Sequence, residues 1–297
     1  TGQDRGIVPH PGWTHFSFDG IGTRWEISTP SRLSGDHRRG LLATVEQYDA
    51  AWSRFRPDSL VADAARSPGR FELPAEAAAL GELYSTLYRL TGGAMTPLIG
   101  ASLERLGYDA DYSLRPGGLP LPAARWEDVL DWQGTVLTTT APVVIDVGAA
   151  GKGQLADLLS AQLRDGGCAE HFIDASGDLL NPGPEPVVVA LEHPYDPTRA
   201  IGTVELGAGA LCASAANRRA WGDGFHHVLD GTTGAPVRTV VASWALAGTA
   251  MVADALATAL FFVDGPRLEQ EFEFAWLTAY SDGHAEYSAD FEGALFS

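Results

Sequence analysis

The sequence predicts an α+β fold in which antiparallel sheet packs against a few helices. Two stretches, 41–55 and 80–90, carry apolar side chains at the three- and four-residue spacing of an amphipathic helix. Much of the remaining chain has the pattern of short strands joined by tight turns, with few βαβ units. No internal repeat or low-complexity linker interrupts residues 1–297, so we expect one domain over the whole chain.

The elements are expected in a definite order along the chain. Alternation over 15–27, with Gly20 and Gly22, predicts an entry hairpin ahead of the two helices. The Gly-, Pro- and Trp-rich stretch 107–142 predicts loop with short strands. Further strands are expected at 143–147, 171–175, 187–191, 202–206, 209–213, 226–229, 239–246 and 273–280, and further helices at 155–163 and 249–263.

The charge balance excludes some classes of function. With 20 basic against 38 acidic side chains the formal net charge is −18, which disfavours a general binder of nucleic acid or anionic membranes. An anionic ligand would therefore need local positive charge, supplied by a metal ion, a helix N-terminus or a few basic side chains at the site. The only lysine is Lys152; the other 19 basic residues are arginines. Because a compact ammonium and a planar guanidinium are not interchangeable at a tight site, this lysine is either a functional residue or the product of an arginine-biased composition.

Lys152 lies in the first candidate site, a glycine-rich turn between an expected strand and an expected helix. Glycines over 148–153 allow backbone N–H groups to approach an anion, and the following helix adds its positive end. The spacing matches neither a P-loop nor a dinucleotide-binding fingerprint. A purely structural turn remains the alternative.

A second candidate is formed by Asp254 and Thr258. Four residues apart on a helix, their side chains project from one face, and a carboxylate with a hydroxyl supplies the hard oxygen ligands that Mg²⁺ prefers. The alternative is that Asp254 caps or pairs locally while Thr258 bonds a carbonyl one turn back.

A third candidate is the run from His226 to Asp230. A histidine near a carboxylate at a strand end can act as a general base. The alternatives are a hydrogen-bonded structural histidine and an Asx turn at Asp230.

Cys168 and Cys212 are best explained as two buried thiols, and no motif of a serine hydrolase or zinc protease is present.

Taken in order, eight segments resemble the ApbE family, flavin transferases that move FMN from FAD onto a threonine or serine of a protein. Segment 253–258 reads A-D-A-L-A-T, identical to the family's pattern, and 146–153 resembles D-L-G-G-I-A-K-G. The other segments are Gly-Thr at 22–23, S-x-[FY]-R-x-D-S at 53–59, T-G-G-A-F-D-P at 91–97, G-G-D at 176–178, H-I-x-D at 227–230 and T-G-x-P at 233–236.

The resemblance implies an ApbE-like, T-fold-like architecture and a set of site residues. Mg²⁺ would be held by Asp254, Thr258 and the carbonyl of Gly151; the catalytic residues would be His227, Lys152 and Asp230. FAD-binding positions would be Ser59, Thr96, Gly148, Ala149, Lys152, Ser176, Gly177, Asp178 and His227. The chain departs from the pattern at Thr96, where the family has Asp, at Ser176, where it has Gly, and over 212–215.

The sequence therefore predicts a Mg²⁺-dependent FAD:protein FMN transferase that uses FAD as substrate, releases AMP and has a flavoprotein acceptor as partner. Two alternatives stay open: a Mg²⁺-dependent FAD pyrophosphatase yielding FMN and AMP, and a non-catalytic FAD-binding protein. No transmembrane segment or lipobox-type cysteine is visible, which favours the cytoplasm, with an exported form that has lost its signal as the alternative.

Overall fold

A computed structural model describes residues 10–217, 220–222 and 224–296. The helices are α1 (Gly35–Trp52), α2 (Leu60–Arg66), α3 (Ala77–Leu90), α4 (Gly100–Arg105), α5 (Trp126–Val129), α6 (Gly151–Asp165), α7 (Ala250–Ala259) and α8 (Gly265–Leu268). The strands are β1 (Thr14–Gly20), β2 (Thr23–Thr29), β3 (Gly69–Glu72), β4 (Leu130–Gln133), β5 (Val136–Thr139), β6 (Phe172–Asp174), β7 (Leu179–Asn181), β8 (Val187–His193), β9 (Asp196–Leu206), β10 (Gly209–Ala215), β11 (Ala220–Trp221), β12 (Phe225–His226), β13 (Val240–Ala247), β14 (Ala275–Tyr280), β15 (Ala285–Tyr287) and β16 (Gly293–Leu295).

The main sheet has eight strands in the order β1-β2-β6-β7-β10-β13-β14-β15, and each neighbouring pair is antiparallel. Two three-stranded antiparallel sheets, β16-β9-β8 and β3-β5-β4, flank it. The pairs β1-β2, β6-β7 and β14-β15 are joined by short connections, which cannot span the crossover that a parallel neighbour requires. The predicted α+β class and the predicted entry hairpin are both confirmed.

Helices α6 and α7 form the centre of the molecule. Both pack into one large apolar core, and α7 also lies on β10 and β13, where the Cys212 thiol is fully buried against the Ala250 carbonyl. Cys168 is only partly buried, so the expectation of two buried thiols is wrong for that residue.

Within the ranges given above, no helix combines the length and apolar character needed to cross a membrane.

Two expected strands differ from the structure. Residues 143–147 run without regular structure, because their backbone meets the ends of helical segments: Val143 N donates to Ala64 O at 3.0 Å and Asp146 N to Pro97 O at 2.8 Å. The strand expected over 226–229 is reduced to His226 in β12 and a single bridge between Leu229 and Pro236. The apolar composition of both segments predicted their burial correctly, but it does not reveal whether a neighbouring strand is available for hydrogen bonding.

One contact between α6 and α7 depends on a glycine. A Cβ atom at Gly153 would overlap the carbonyl oxygen of Ala250, at the point where the first turns of the two helices meet. Backbone approach of this kind cannot be relieved by a change of rotamer, so the spacing of the helices requires glycine.

Gly153→Ala is therefore expected to lower the free energy of unfolding by about 3 kcal/mol, since the helices must separate to admit the methyl group. Gly207 is the control, because a Cβ there meets no atom within 4 Å. Urea denaturation of both alanine variants checks this. Equal stability of the two would contradict the close contact.

Two buried histidines are held in their neutral form. His171 is fully buried; its Nδ1 lies 2.9 Å from the Cys168 carbonyl and must donate, so Nε2 accepts from the Ser160 hydroxyl at 2.8 Å. Burial lowers the pKa of His171 below its ordinary value of 6.5, and burial also lowers the pKa of His226. Protonation of either ring therefore opposes folding.

Stability is expected to be lost as the pH falls. Because the folded-state pKa of His171 lies below the unfolded-state value, the stabilisation is complete above about pH 6.5 and declines below it, by at most about 1.4 kcal/mol per pH unit for each such histidine. Urea unfolding between pH 8 and 5 measures this slope. His171→Gln should make the slope shallower, and identical slopes in this variant and the wild-type protein would refute the assignment.

Candidate active site

A cavity of about 300 Å³ opens where the loop before α6, the inner face of α7 and the end of β10 converge. Most of the site residues expected from the sequence line it. They are Thr96, Gly148, Ala149, Lys152, Ser176, Gly177, His227, Asp254 and Thr258. Five distant parts of the chain thus meet at one place.

Lys152 is the second residue of α6 and forms an ion pair with Asp178. The Asp178 side chain is only 1% exposed, whereas that of Lys152 is 19% exposed and reaches the cavity. A fully buried carboxylate is costly unless a cation is beside it. Asp178 does not line the cavity, and its carboxylate holds the Lys152 ammonium. A direct contact between Asp178 and a cofactor stays a prediction.

Asp254 belongs to α7 but also serves α6. Its Oδ2 accepts a hydrogen bond from the backbone N–H of Gly153, in the first turn of α6, at 2.9 Å. Asp157 of α6 returns the interaction, accepting from the N–H groups of Ala250 and Met251 at 2.9 and 2.8 Å. Each helix therefore supplies the carboxylate that satisfies free amides at the start of the other. The capping role considered for Asp254 is real, although the helix it caps is a different one.

The donor set around Asp254 fits a small hard cation. Asp254 and Thr258 both line the cavity, and Gly151 lies at the start of α6 beside it, on the wall of an adjoining cavity. Across the part of the chain that the structure describes, no cluster of three or more His, Cys, Asp or Glu side chains could hold a metal. One carboxylate, one hydroxyl and one carbonyl suit Mg²⁺, which commonly completes its shell with water and phosphate oxygens.

The two adjacent histidines have different surroundings. His226 is buried, with Nε2 2.7 Å from the Val237 carbonyl and Nδ1 accepting from Val228 N at 3.3 Å, so it is a structural histidine. His227 is half-buried and lines the cavity. The two side chains thus lie in different surroundings, that of His226 in the protein interior and that of His227 at the cavity.

Asp230 and Ser59 do not reach the cavity. The Asp230 Oδ1 accepts from the backbone N–H and hydroxyl of Thr232 at 2.7 and 2.6 Å, the Asx turn that was the alternative explanation. Ser59 is fully buried as the N-cap of α2, accepting from Ala62 N at 3.1 Å and donating to Ser53 O at 2.6 Å. These contacts engage both side chains away from the cavity, and the roles of Asp230 as base and of Ser59 as ligand stay predictions.

Two departures from the ApbE pattern are accommodated locally. Ser176 has a φ of +57°, a region that favours glycine, and its hydroxyl donates to the Arg24 carbonyl at 2.9 Å. Thr96 is buried, and its Oγ1 accepts from Leu98 N at 3.2 Å to cap a short 3₁₀ turn. Both residues still present part of their surface to the cavity.

Asp146 and Arg54 were not among the expected site residues, although both lie in segments that resemble the family. Asp146 Oδ1 accepts from Gly148 N at 2.8 Å, which fixes the loop before Lys152, and Oδ2 accepts from Arg54 Nε at 2.6 Å. Asp146 begins the glycine segment, so its place in that motif was the available signal. Arg54 occupies a variable position of its motif, and nothing in the sequence marked it.

A second cavity of about 330 Å³ lies on the other side of this loop. It shares Tyr108, Asp146, Gly148 and Lys152 with the first. Its other walls are rich in aromatic rings, contributed by Trp52, Phe55 and Tyr112, together with Ile21 and Arg54. The two cavities form one elongated site with Lys152 at the boundary.

Two curated proteins resemble the chain, and both are named FAD:protein FMN transferase. The protein from Rhodobacter capsulatus is 28% identical over 270 residues, which cover 84% of this chain and 51% of that protein. The protein from Vibrio cholerae is 25% identical over 222 residues, covering 67% of this chain and 66% of that protein. The chain thus spans about half of the first relative and just under two thirds of the second.

Solved structures share the fold. The ApbE protein of Thermotoga maritima superimposes with a TM-score of 0.81 at 24% identity, covering 94% of this chain and 99% of that one. Flavin transferase ApbE from Vibrio cholerae gives 0.80 at 21% identity, with coverages of 94% and 98%. The family model described as the ApbE family matches residues 21–275, a span that includes both cavities and every residue expected at the site. The chain belongs to the ApbE family.

Proposed function

We propose that this protein transfers FMN from FAD to the hydroxyl of a threonine or serine in an acceptor protein, with Mg²⁺ and with release of AMP. The observation that carries the proposal is the meeting of Lys152, His227, Asp254 and Thr258 on one cavity. The names of the curated relatives support the same reaction.

The charged groups at the site suit a pyrophosphate. Lys152 stands at the N-terminus of α6, where its ammonium and the positive end of the helix both favour an anion. Asp254 and Thr258 would hold Mg²⁺ with the Gly151 carbonyl, and a bound Mg²⁺ would neutralise pyrophosphate charge and polarise the phosphorus under attack. A chain of net charge −18 can hold an anion in this way because the charge is balanced locally.

His227 is the general base in this proposal. The acceptor hydroxyl loses its proton to His227 while its oxygen bonds to the phosphorus of the FMN half. The bond from that phosphorus to the bridging oxygen breaks, and AMP leaves with the electron pair, its charge stabilised by Lys152. Asp230 is not assigned this step, because its carboxylate is engaged with Thr232.

The decisive assay incubates the protein with FAD, Mg²⁺ and an acceptor carrying the family-type flavinylation segment. In-gel flavin fluorescence of the acceptor together with AMP supports transfer. AMP without a fluorescent acceptor would identify a pyrophosphatase, and FAD retained without either product would identify a binding protein.

Asp254→Ala is expected to abolish Mg²⁺-dependent transfer. Because Asp254 also caps α6, Asp254→Asn is the sharper variant: it keeps an oxygen for Gly153 N but loses the charge, and transfer should fall by at least roughly 100-fold. Asp157→Asn is the matched control, since it alters the reciprocal cap without touching the cavity. Retained turnover in Asp254→Ala would refute the metal assignment.

Lys152→Arg is expected to lower transfer at least about tenfold, since a planar guanidinium cannot replace a compact ammonium between Asp178 and the cavity. Lys152→Ala should also destabilise the fold by about 3 kcal/mol by leaving Asp178 unpaired. Adding Asp178→Asn should recover stability but not transfer. Thermal unfolding and the acceptor assay separate the two effects. Undiminished transfer in Lys152→Arg would mean that the single lysine reflects the arginine-biased composition and has no specific role.

A further inference from the structure

A carboxylate lies on the wall that would receive the pyrophosphate, in addition to that of Asp254. Asp146 lines both cavities, and its side chain is 15% exposed at the boundary where Lys152 lies. An ionised carboxylate at such a place repels a phosphate group. The loop before α6 nevertheless depends on this side chain, because Asp146 Oδ1 accepts a hydrogen bond from Gly148 N at 2.8 Å. The negative charge must therefore be balanced by a cation of the protein.

Arg54 supplies that cation. Its Nε donates to Asp146 Oδ2 at 2.6 Å, so the two oxygen atoms of the carboxylate have different partners, Arg54 and the amide of Gly148. Hydrogen bonds between a guanidinium and a carboxylate are about twice as strong as neutral ones. Lys152 is engaged elsewhere, because its ammonium forms an ion pair with the buried Asp178. The charge of Asp146 is thus balanced by Arg54 while the lysine faces the first cavity.

The position of the Arg54 guanidinium is fixed by its surroundings. Its side chain is only 3% exposed, and Cζ lies 4.2 Å from the centre of the Phe55 ring and 5.1 Å from that of Tyr108. These two rings meet edge to face, with planes at 84°, and both attract a cation. Nη1 lies 3.7 Å from a Glu104 carboxylate oxygen, a longer contact than the one to Asp146. The guanidinium is therefore held against the rings with Nε directed at Asp146.

This arrangement belongs to a variable position of the family pattern. Arg54 is the x of S-x-[FY]-R-x-D-S, and the arginine that the pattern itself specifies is Arg56. The guanidinium of Arg56 forms ion pairs with Glu46, Asp49 and Asp58. The two arginines of this segment thus have separate partners, and Arg54 is the one that contacts the carboxylate of the glycine loop.

We propose that Arg54 is a positioning residue for the pyrophosphate of FAD and that it acts through Asp146. It balances the charge of the Asp146 carboxylate and keeps Oδ1 on Gly148 N, so the loop before α6 retains its shape while its wall accepts an anion. This inference rests on the proposed function, because an anionic part of the substrate is what an unbalanced Asp146 would repel. Without Arg54, the acceptor of the loop becomes an uncompensated negative charge beside Lys152.

The test compares the binding of ADP, which contains a pyrophosphate, with that of adenosine, which contains no phosphate. Both are titrated by calorimetry at one fixed Mg²⁺ concentration. Arg54→Met leaves a long apolar side chain against the two rings but removes the charge. It should raise the ADP Kd at least about tenfold and leave the adenosine Kd unchanged. Arg66→Met is the control and should change neither, since Arg66 pairs with Asp63 and lines neither cavity.

Asp146→Asn shows whether Arg54 acts through Asp146. The asparagine oxygen still accepts from Gly148 N, but no charge remains to be balanced. Added to Arg54→Met, it should return the ADP Kd to within about threefold of the wild-type value, whereas two independent losses would add. Because the double variant contains no unpaired charge at this place, it should fold even if Arg54→Met does not.

Steady-state kinetics in the acceptor assay give a further measurement. Arg54→Met should raise the KM for FAD at least about tenfold and change kcat less than about threefold, since Arg54 does not touch the reacting atoms. A fall in kcat with an unchanged KM would contradict a role in positioning the pyrophosphate.

Three binding results would overturn the inference while leaving the proposed function standing. They are an unchanged ADP Kd in Arg54→Met, equal losses of ADP and adenosine affinity, and a double variant that binds ADP no better than Arg54→Met. If Arg54→Met does not fold, a double variant that binds ADP at least about tenfold more weakly than the wild type overturns it instead. A wild-type protein that binds neither ADP nor FAD would refute the proposed function, and this inference with it.

Discussion

The site depends on reciprocal hydrogen bonds, in which α6 and α7 each supply a carboxylate to the first turn of the other. Asp254 of α7 accepts from the first turn of α6, and Asp157 of α6 accepts from the first turn of α7. The first N–H groups of a helix lack acceptors within the helix, and when buried they must find them elsewhere. Here a carboxylate of each helix accepts from such N–H groups of the other. Since Gly153 permits direct backbone contact at the same point, Lys152 and the Asp254 and Thr258 side chains on α7 are fixed relative to each other. Lys152, Asp254 and Thr258 therefore lie on one closely packed pair of helices.

Around these two helices, each acidic side chain of the site has its own partner. Asp178 is paired with Lys152, Asp146 with Arg54, and Asp254 shares an amide of α6. Each buried carboxylate thus has a cation or an N–H group as a partner, as burial demands. What remains toward the first cavity is the partly exposed ammonium and the oxygen atoms on α7. In the proposed function, these groups would let an acidic protein hold an anion without a basic surface.

Periodicity and motif order predicted much of the fold and site, and the errors have physical causes. The four-residue spacing of Asp254 and Thr258 placed both on one wall, because a helix fixes that geometry locally. Segment 143–147 was mistaken for a strand, because burial alone does not reveal whether a neighbouring strand exists. Ser59 and Asp230 lie outside both cavities, because their hydroxyl and carboxylate bond backbone groups a few residues away. Arg54 was missed, since its importance arises only when Asp146 and Phe55 are brought beside it.

The solitary lysine has a practical consequence. Because these 297 residues contain one ε-amine, an amine-directed reagent has a single side-chain target, and that target lies at the junction of the two cavities. A fluorophore or isotopic tag attached there would report on the site without any cysteine engineering. Occupation by a ligand would then be read as protection of one chemically unique atom.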